Sequence, residues 1–227
     1  MLIDLHNHTG WGSGDSHLDP SHLVEHAKRC GLDGIALTEH NQVWDPAKVA
    51  ALRDKHGFLV LAGCEVNTDE GHMLVFGLPG PRRWSRLPSL RELRSEVDEH
   101  GGVIVAAHPF RGRSASKHGL DFVTEMLGHL VDAVEAYNGL AGDGERHAAA
   151  KAAQRLSLPT TGGSDTHRIM DVACNFTRFD EEIRSEVDLV AAIKDRLCRG
   201  TDWAVEGQPD GRRLALAETT SHVIYRP

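Results

Sequence analysis

Short apolar runs alternate along the chain with longer segments in which apolar residues recur every three or four positions. The apolar runs have the length and composition of buried strands and occupy residues 1–3, 34–38, 58–62, 71–77, 103–107, 133–137 and 160–164. The helical spacing predicts helices at residues 20–30, 45–56, 89–100, 122–130, 145–156 and 185–199. Further strands are expected in the tail, near residues 203–205 and 221–225.

This alternation of strand and helix, joined by short connections, is typical of parallel strands with helical crossovers. It predicts an α/β fold whose sheet is either closed as a barrel or left open. We find no Pro-, Gly- or Ser-rich linker and no internal repeat, so residues 1–227 are expected to form one domain.

Composition narrows the class of protein. The 227 residues are 40% apolar and 26% charged, which is ordinary for a water-soluble domain, and neither a signal peptide nor a membrane-spanning run is visible. A cytoplasmic location is therefore expected. The formal charge of −8 disfavours a surface built for nucleic acid. The four cysteines contain no Cys-x-x-Cys pair, so we expect reduced thiols and no zinc ribbon.

The most informative motif is a pair of histidines directly after the first apolar run. His6 and His8 are two residues apart, so in an extended segment both side chains point to the same side. Two imidazoles at one strand end can begin a metal site. Taken alone, such a pair is more often two exposed polar residues at a strand end.

Matching residues follow the later strands. His40, Glu65 and His108 each come just after an apolar run, as do Asp165 and His167. In a parallel α/β fold the carboxyl ends of the strands lie at one end of the sheet, so these side chains should converge there. Imidazole nitrogens with carboxylate oxygens and no thiolate favour zinc, manganese or iron. The number of ligands favours two or three ions, which could activate a bridging hydroxide.

The segments DLHNHT, LTEHN, GCE, AHP and GGSDTH, in this order, resemble the motifs of the PHP (polymerase and histidinol phosphatase) domain family. The resemblance covers about residues 1–200. It implies a distorted seven-stranded (β/α) barrel, up to three metal ions, and hydrolysis of phosphoesters by a metal-bridging hydroxide.

The resemblance also implies a set of metal ligands. One ion would take His6, His8, Glu65 and Asp165, a second would share Glu65 with His72 and His108, and a third would take Asp15, His40 and His167. Within this set the candidate catalytic residues are His6, His8, Glu65, His108, Asp165 and His167. Asp15 lies seven positions after His8, where the family commonly has five. His72 could instead face away from the site.

Other polar residues are weaker candidates for a role in the site. Arg111 and Arg113 follow His108 closely and could bind phosphate, or could belong to a solvated loop. Glu135 and Asn138 end another strand and could orient ligand histidines.

The sequence thus leads to a metal-dependent phosphoesterase that hydrolyses a small phosphorylated molecule, a phosphomonoester. The main alternative is a nuclease or nucleotide phosphodiesterase, in which a strand path would be lined by Arg82, Arg83, Arg86, Arg111 and Arg113. Two further alternatives are a non-catalytic metal-binding scaffold and hydrolysis of C–N or C–O bonds by the same hydroxide.

Overall fold

Nine strands form the main sheet of this computed structural model, which describes residues 1–111 and 119–207. Two more strands, β3 and β6, pair with each other outside this sheet. In chain order the strands are β1 (Leu2–Asp4), β2 (Gly34–Leu37), β3 (Gln42–Val43), β4 (Leu59–Thr68), β5 (Gly71–Phe76), β6 (Arg82–Arg83), β7 (Val103–Ala106), β8 (Ala133–Asn138), β9 (Thr160–Gly163), β10 (Asn175–Phe179) and β11 (Cys198–Asp202).

The described residues contain seven α-helices, of which the first six lie between strands and the last follows β11. They are α1 (Pro20–Arg29), α2 (Pro46–His56), α3 (Leu90–Glu99), α4 (Gly119–Leu127), α5 (Asp143–Leu156), α6 (Glu186–Lys194) and α7 (Trp203–Glu206). The predicted start of α1 rests on a side-chain cap, because Asp19 accepts hydrogen bonds from the backbone N–H groups of Ser21 and His22. None of the helices in these ranges is long and apolar enough to cross a membrane.

The sheet runs in the order β11-β10-β1-β2-β4-β5-β7-β8-β9. Strands β1, β2 and β4 are parallel, as are β7, β8 and β9, whereas β5, β10 and β11 pair antiparallel with their neighbours. The two ends of the sheet approach each other, since Gly162 N donates to Thr177 Oγ1 (2.9 Å) and Gly200 N donates to Thr160 Oγ1 (3.1 Å). The result is a nearly closed, distorted barrel, as predicted.

Several local predictions need correction. The barrel sheet has nine strands where seven were expected, because the antiparallel β10–β11 pair joins it beside β1. The chain near residues 203–205 is the helix α7, because Asp202 caps it by accepting from Ala204 N and Val205 N. The last long helix ends at Lys194, and residues at its predicted end belong to β11. Arg113 and the strand expected near residues 221–225 lie outside the described residues.

The antiparallel direction of β5 matters for the site. Its first residues lie beside the last residues of β4, where Asn67 pairs with His72. A histidine at the start of β5 therefore reaches the same end of the barrel as residues at the ends of the parallel strands.

Candidate metal centre

Glu65 lies at the centre of the ligand-type residues, fully buried on β4. Its Oε1 is 2.8 Å from His72 Nδ1 and 3.1 Å from His108 Nε2. Its Oε2 has three further imidazole nitrogens around it, at 2.9 Å (His40 Nδ1), 3.3 Å (His8 Nε2) and 3.5 Å (His6 Nε2). One carboxylate thus faces five histidines that come from four segments of the chain.

Asp165 completes the buried part of the cluster. Its Oδ1 lies 3.5 Å from His6 Nε2 and 3.3 Å from His8 Nε2. The backbone of Asp165 is left-handed (φ 54°), and its N–H donates to the carbonyl of His6 at 2.9 Å. We call His6, His8, Glu65 and Asp165 the inner group.

The close approach of β9 to β1 requires glycine. A Cβ placed on Gly163 would lie 2.3 Å from the Cβ of His6, a distance that no side chain could tolerate. This glycine in the GGSDTH motif therefore lets Asp165 reach the histidines of the first motif.

Three residues form a second, more exposed cluster, which we call the outer group. Asp15 Oδ2 is 3.1 Å from both His40 Nε2 and His167 Nε2. The side chains of Asp15, His40 and His167 are 53%, 26% and 22% exposed. His8 also stands close to the two histidines, and its ring stacks on that of His40 with centroids 4.3 Å apart. The long loop after His8 therefore does bring Asp15 to the cluster.

Hydrogen bonds behind the rings determine which imidazole nitrogens carry protons. His6 Nδ1 faces Glu135 Oε1 at 3.0 Å, and His167 Nδ1 faces the carbonyl of Asp165 at 2.9 Å. Each Nδ1 donates to the oxygen that it faces, and each Nε2 therefore points toward the cluster.

His8 is oriented by a relay of two residues. Ser13 Oγ donates to Glu39 Oε2 at 2.6 Å, which leaves the Ser13 oxygen to accept from His8 Nδ1 at 3.1 Å. Glu39 is itself fully buried and also accepts from Thr9 N (3.1 Å), from Thr9 Oγ1, and from Trp44 Nε1 (3.1 Å). Sequence reasoning missed Ser13 and Glu39, although Glu39 directly precedes His40 in the LTEHN motif.

The donor set fits divalent metal ions. His6 Nε2 and His8 Nε2 are only 3.1 Å apart, and the bonds at their Nδ1 atoms turn both Nε2 atoms toward the same point. A proton bridges two nitrogens at this distance, and a metal ion bound there would take its place. Glu65 Oε2 and His40 Nδ1 are also buried, and although 2.9 Å apart they are not aligned for a hydrogen bond. Four triads of ligand atoms meet metal-site spacing, and together they include His6, His8, His40, Glu65, His72, His108, Asp165 and His167.

The electrostatics reflect this crowding. Burial by itself would lower the pKa of His6, but the carboxylates of Asp165, Glu135 and Glu65 outweigh burial and raise it well above the usual range. Burial opposes ionisation of Glu65, yet the surrounding histidines hold its pKa well below the usual value. The cluster thus keeps its carboxylates ionised, as metal binding requires.

Arg111 reaches the same cluster. Its guanidinium pairs with Asp165 Oδ2 and lies 2.8 Å from His108 Nε2. Asn138 donates from Nδ2 to Glu135 Oε2 (3.0 Å) and to Asp165 Oδ2 (3.3 Å), so Glu135 and Asn138 stand behind the ligands.

A cavity of about 540 Å³ lies at the opposite end of β5 from His72, against α2 and α6. Among the described residues, none of the inner or outer group lines it, so the size of a cavity does not mark the site in this protein.

Comparisons of the sequence with known proteins find related chains. Residues 144–198 match a family model described as PHP-associated. An uncharacterised protein of Methanocaldococcus jannaschii is 28% identical over 158 residues, which are 63% of this chain and 85% of that protein. The error-prone DNA polymerase of Nocardia farcinica is 32% identical over 83 residues, 37% of this chain but 7% of the polymerase.

Solved structures share the fold. A two-domain protein of Bacteroides vulgatus, containing a predicted PHP-like metal-dependent phosphoesterase, superposes with a TM-score of 0.69 and 19% identity, covering 89% of this chain and 64% of that one. PsfC of Pseudomonas syringae superposes with a TM-score of 0.65 and 18% identity, covering 97% of this chain and 96% of that one.

Proposed function

We propose that this chain is a metal-dependent phosphoesterase of the PHP type that hydrolyses a small phosphomonoester. The observation that carries the proposal is the arrangement around Glu65, whose two carboxylate oxygens lie 2.8–3.5 Å from five imidazole nitrogens. A single carboxylate placed in this way can bridge two metal ions.

The proposed ligands fall into three sets that share members. The inner group would hold one ion, Glu65 with His72 and His108 a second, and the outer group a third. Zinc, manganese or iron suits nitrogen and oxygen donors of this kind. When bound, such ions supply Lewis acidity toward the phosphoryl oxygens and lower the pKa of a water molecule.

The chain's own residues would orient the reacting groups. Glu135 and the Ser13–Glu39 relay hold the rings of His6 and His8 in one orientation, with Nε2 toward the cluster. Arg111 carries a planar guanidinium at the open side of the cluster, and its fork geometry suits two oxygens of a phosphoryl group.

The test combines metal analysis with a substrate panel. Protein purified without chelator should contain at least one tightly bound transition metal per chain and should hydrolyse p-nitrophenyl phosphate. His8→Ala should lose both properties together. The exposed substitution Glu125→Ala on α4 provides a matched control that should retain both. Metal-free protein without activity after reloading with zinc, manganese or iron would contradict the proposal.

The nuclease alternative depends on a basic path of arginines beside the site. Arg82 pairs with Glu96, and Arg86 pairs with Glu92 at 3.0 Å. A nearby carboxylate in each pair reduces the positive charge that these two arginines would offer to a phosphate backbone. End-trimming of a single-stranded oligonucleotide, with no turnover of p-nitrophenyl phosphate, would favour this alternative.

The similarity to a bacterial DNA polymerase leaves a non-catalytic scaffold as a second alternative. A scaffold should bind metal without hydrolysing any phosphoester in the panel. Metal content and turnover measured on the same sample therefore separate the two functions.

A further inference from the structure

A second cavity, of about 230 Å³, adjoins the metal centre beside β5 and β7. Three residues of its wall belong to the centre, namely His72, His108 and Arg111. The cavity therefore opens directly onto the position where a phosphoryl group would be bound.

The remaining wall is mostly apolar. Met73, Ala107 and Leu127 form its base and are at most 2% exposed, whereas the half-buried Pro109 and Met126 of α4 form its accessible apolar side. Glu70 is the acidic residue in the wall, and its Oε2 already accepts a hydrogen bond from Leu90 N at 3.0 Å. Because the Pro109 and Met126 side chains form no hydrogen bonds with water, an apolar group gains free energy by covering them.

We propose that this cavity binds the leaving group of the substrate and selects a short alkyl or single-ring alcohol over a polyol. This inference rests on the proposed phosphoesterase function. The volume is below the roughly 300–1,000 Å³ of pockets for drug-sized ligands, so it admits one ring or a short chain.

Arg111 determines the orientation of the substrate. Its guanidinium contacts Asp165 and His108 of the centre and also lines the cavity. A phosphoryl group held there has its ester oxygen toward the apolar wall. In the reaction the P–O bond to the alcohol breaks and a water oxygen forms the new P–O bond. One proton of the water goes to the leaving alkoxide, and the products are the alcohol and inorganic phosphate.

The kinetic test compares benzyl phosphate with glycerol 1-phosphate on metal-loaded protein. We expect kcat/KM to favour benzyl phosphate by about 10–100-fold, the range in which apolar pockets discriminate. Met126→Trp fills the cavity and should lower kcat/KM for benzyl phosphate about 10-fold or more, with a smaller effect on glycerol 1-phosphate. Glu125→Ala, on the exposed side of the same helix, should leave the ratio unchanged. Equal turnover of both esters, or an equal loss of both in Met126→Trp, would overturn the inference.

A binding measurement separates this inference from the proposed function. Benzylphosphonate and methylphosphonate resist hydrolysis, and their affinities for metal-loaded protein can be compared by calorimetry. Tighter binding of benzylphosphonate, removed by Met126→Trp, supports the cavity even if no ester is hydrolysed. Hydrolysis of phosphoesters together with equal affinity for the two phosphonates supports the function and overturns the cavity.

Discussion

The inner and outer groups use the same ligand types but differ in how the chain holds them. The side chains of His6, His8, Glu65 and Asp165 are 0–1% exposed, whereas that of Asp15 is 53% exposed. The inner group stands on strand ends joined by backbone hydrogen bonds, including Glu65 N to the carbonyl of Glu39 at 3.1 Å. Asp15 stands instead on a glycine-containing loop.

The difference in burial between the two groups indicates which ligands are preorganised. Each inner histidine has its second nitrogen tied to a buried group, so its orientation is set before a metal arrives. In the outer group, Asp15 is fixed mainly by the two histidines it faces. We therefore expect the inner group to dominate metal affinity.

The sharpest test of the comparison pairs two isosteric substitutions. Asp165→Asn, which tolerates the left-handed backbone, should lower kcat/KM on the order of 10³-fold or more and reduce metal content, because several kcal/mol of metal-derived stabilisation are lost. Asp15→Asn should cost less and remove at most one ion per chain. Turnover with p-nitrophenyl phosphate and elemental analysis provide the measurements. Equal losses in the two variants would remove the distinction between the groups.

A second test addresses the residues behind His8. Ser13→Ala removes the acceptor for His8 Nδ1 and should weaken metal binding by about 10–100-fold, as loss of such supporting hydrogen bonds generally does. Competition with a chelator measures this affinity without using turnover. Thr9→Val removes a different donor to Glu39 and is the matched control. A larger effect of Thr9→Val than of Ser13→Ala would contradict the relay.

Arg111 should contribute through substrate binding. Arg111→Ala is expected to raise KM for p-nitrophenyl phosphate about 10-fold while kcat changes less, if the guanidinium binds the phosphoryl group equally in ground and transition states. Arg111→Lys should restore part of the affinity by charge alone. A fall in kcat with unchanged KM in Arg111→Ala would assign the residue to transition-state stabilisation instead.

The smallest effect is expected far from either group, at the exposed start of α3. The hydrogen bond from Arg86, with those of Ser89, lowers the pKa of Glu92 to about 2. Because this value is below the usual 4.5, the stabilisation is present above about pH 4.5 and is lost as the pH falls toward 2. Glu92→Gln should lower the melting temperature by about 1–3 °C at pH 7 and less in acid. A change in the metal content of the Glu92→Gln variant would show that the start of α3 is coupled to the metal centre.

The local pattern of residues was enough to predict most of the barrel. Buried runs and helical spacing are properties of neighbouring residues, and the histidine or glutamate that follows each run within a few positions identified His6, His40, Glu65 and His108 as candidates. The start of α1 was predictable for the same reason, since Asp19 and Pro20 form a local cap.

Other features depend on residues that are distant in sequence. The antiparallel pairing of β5 brings His72 to Glu65, and no local pattern determines strand direction. The role of Glu39 becomes visible only with Ser13, which lies 26 residues earlier. The ion pairs of Arg82 with Glu96 and of Arg86 with Glu92 likewise reduce the positive charge that residues 82–86 present, and the basic residues of that segment do not by themselves predict these pairs.

The sequence alone therefore determined the fold class and the ligand types of the candidate centre. Apolar periodicity specifies which faces are buried, and the identity of a side chain specifies its donor atoms. Only the tertiary structure decided the grouping into an inner and an outer cluster, the orientation of the imidazole rings and the cavity beside Arg111. These depend on distances of a few ångströms between separate strands, and those distances arise only when the barrel closes.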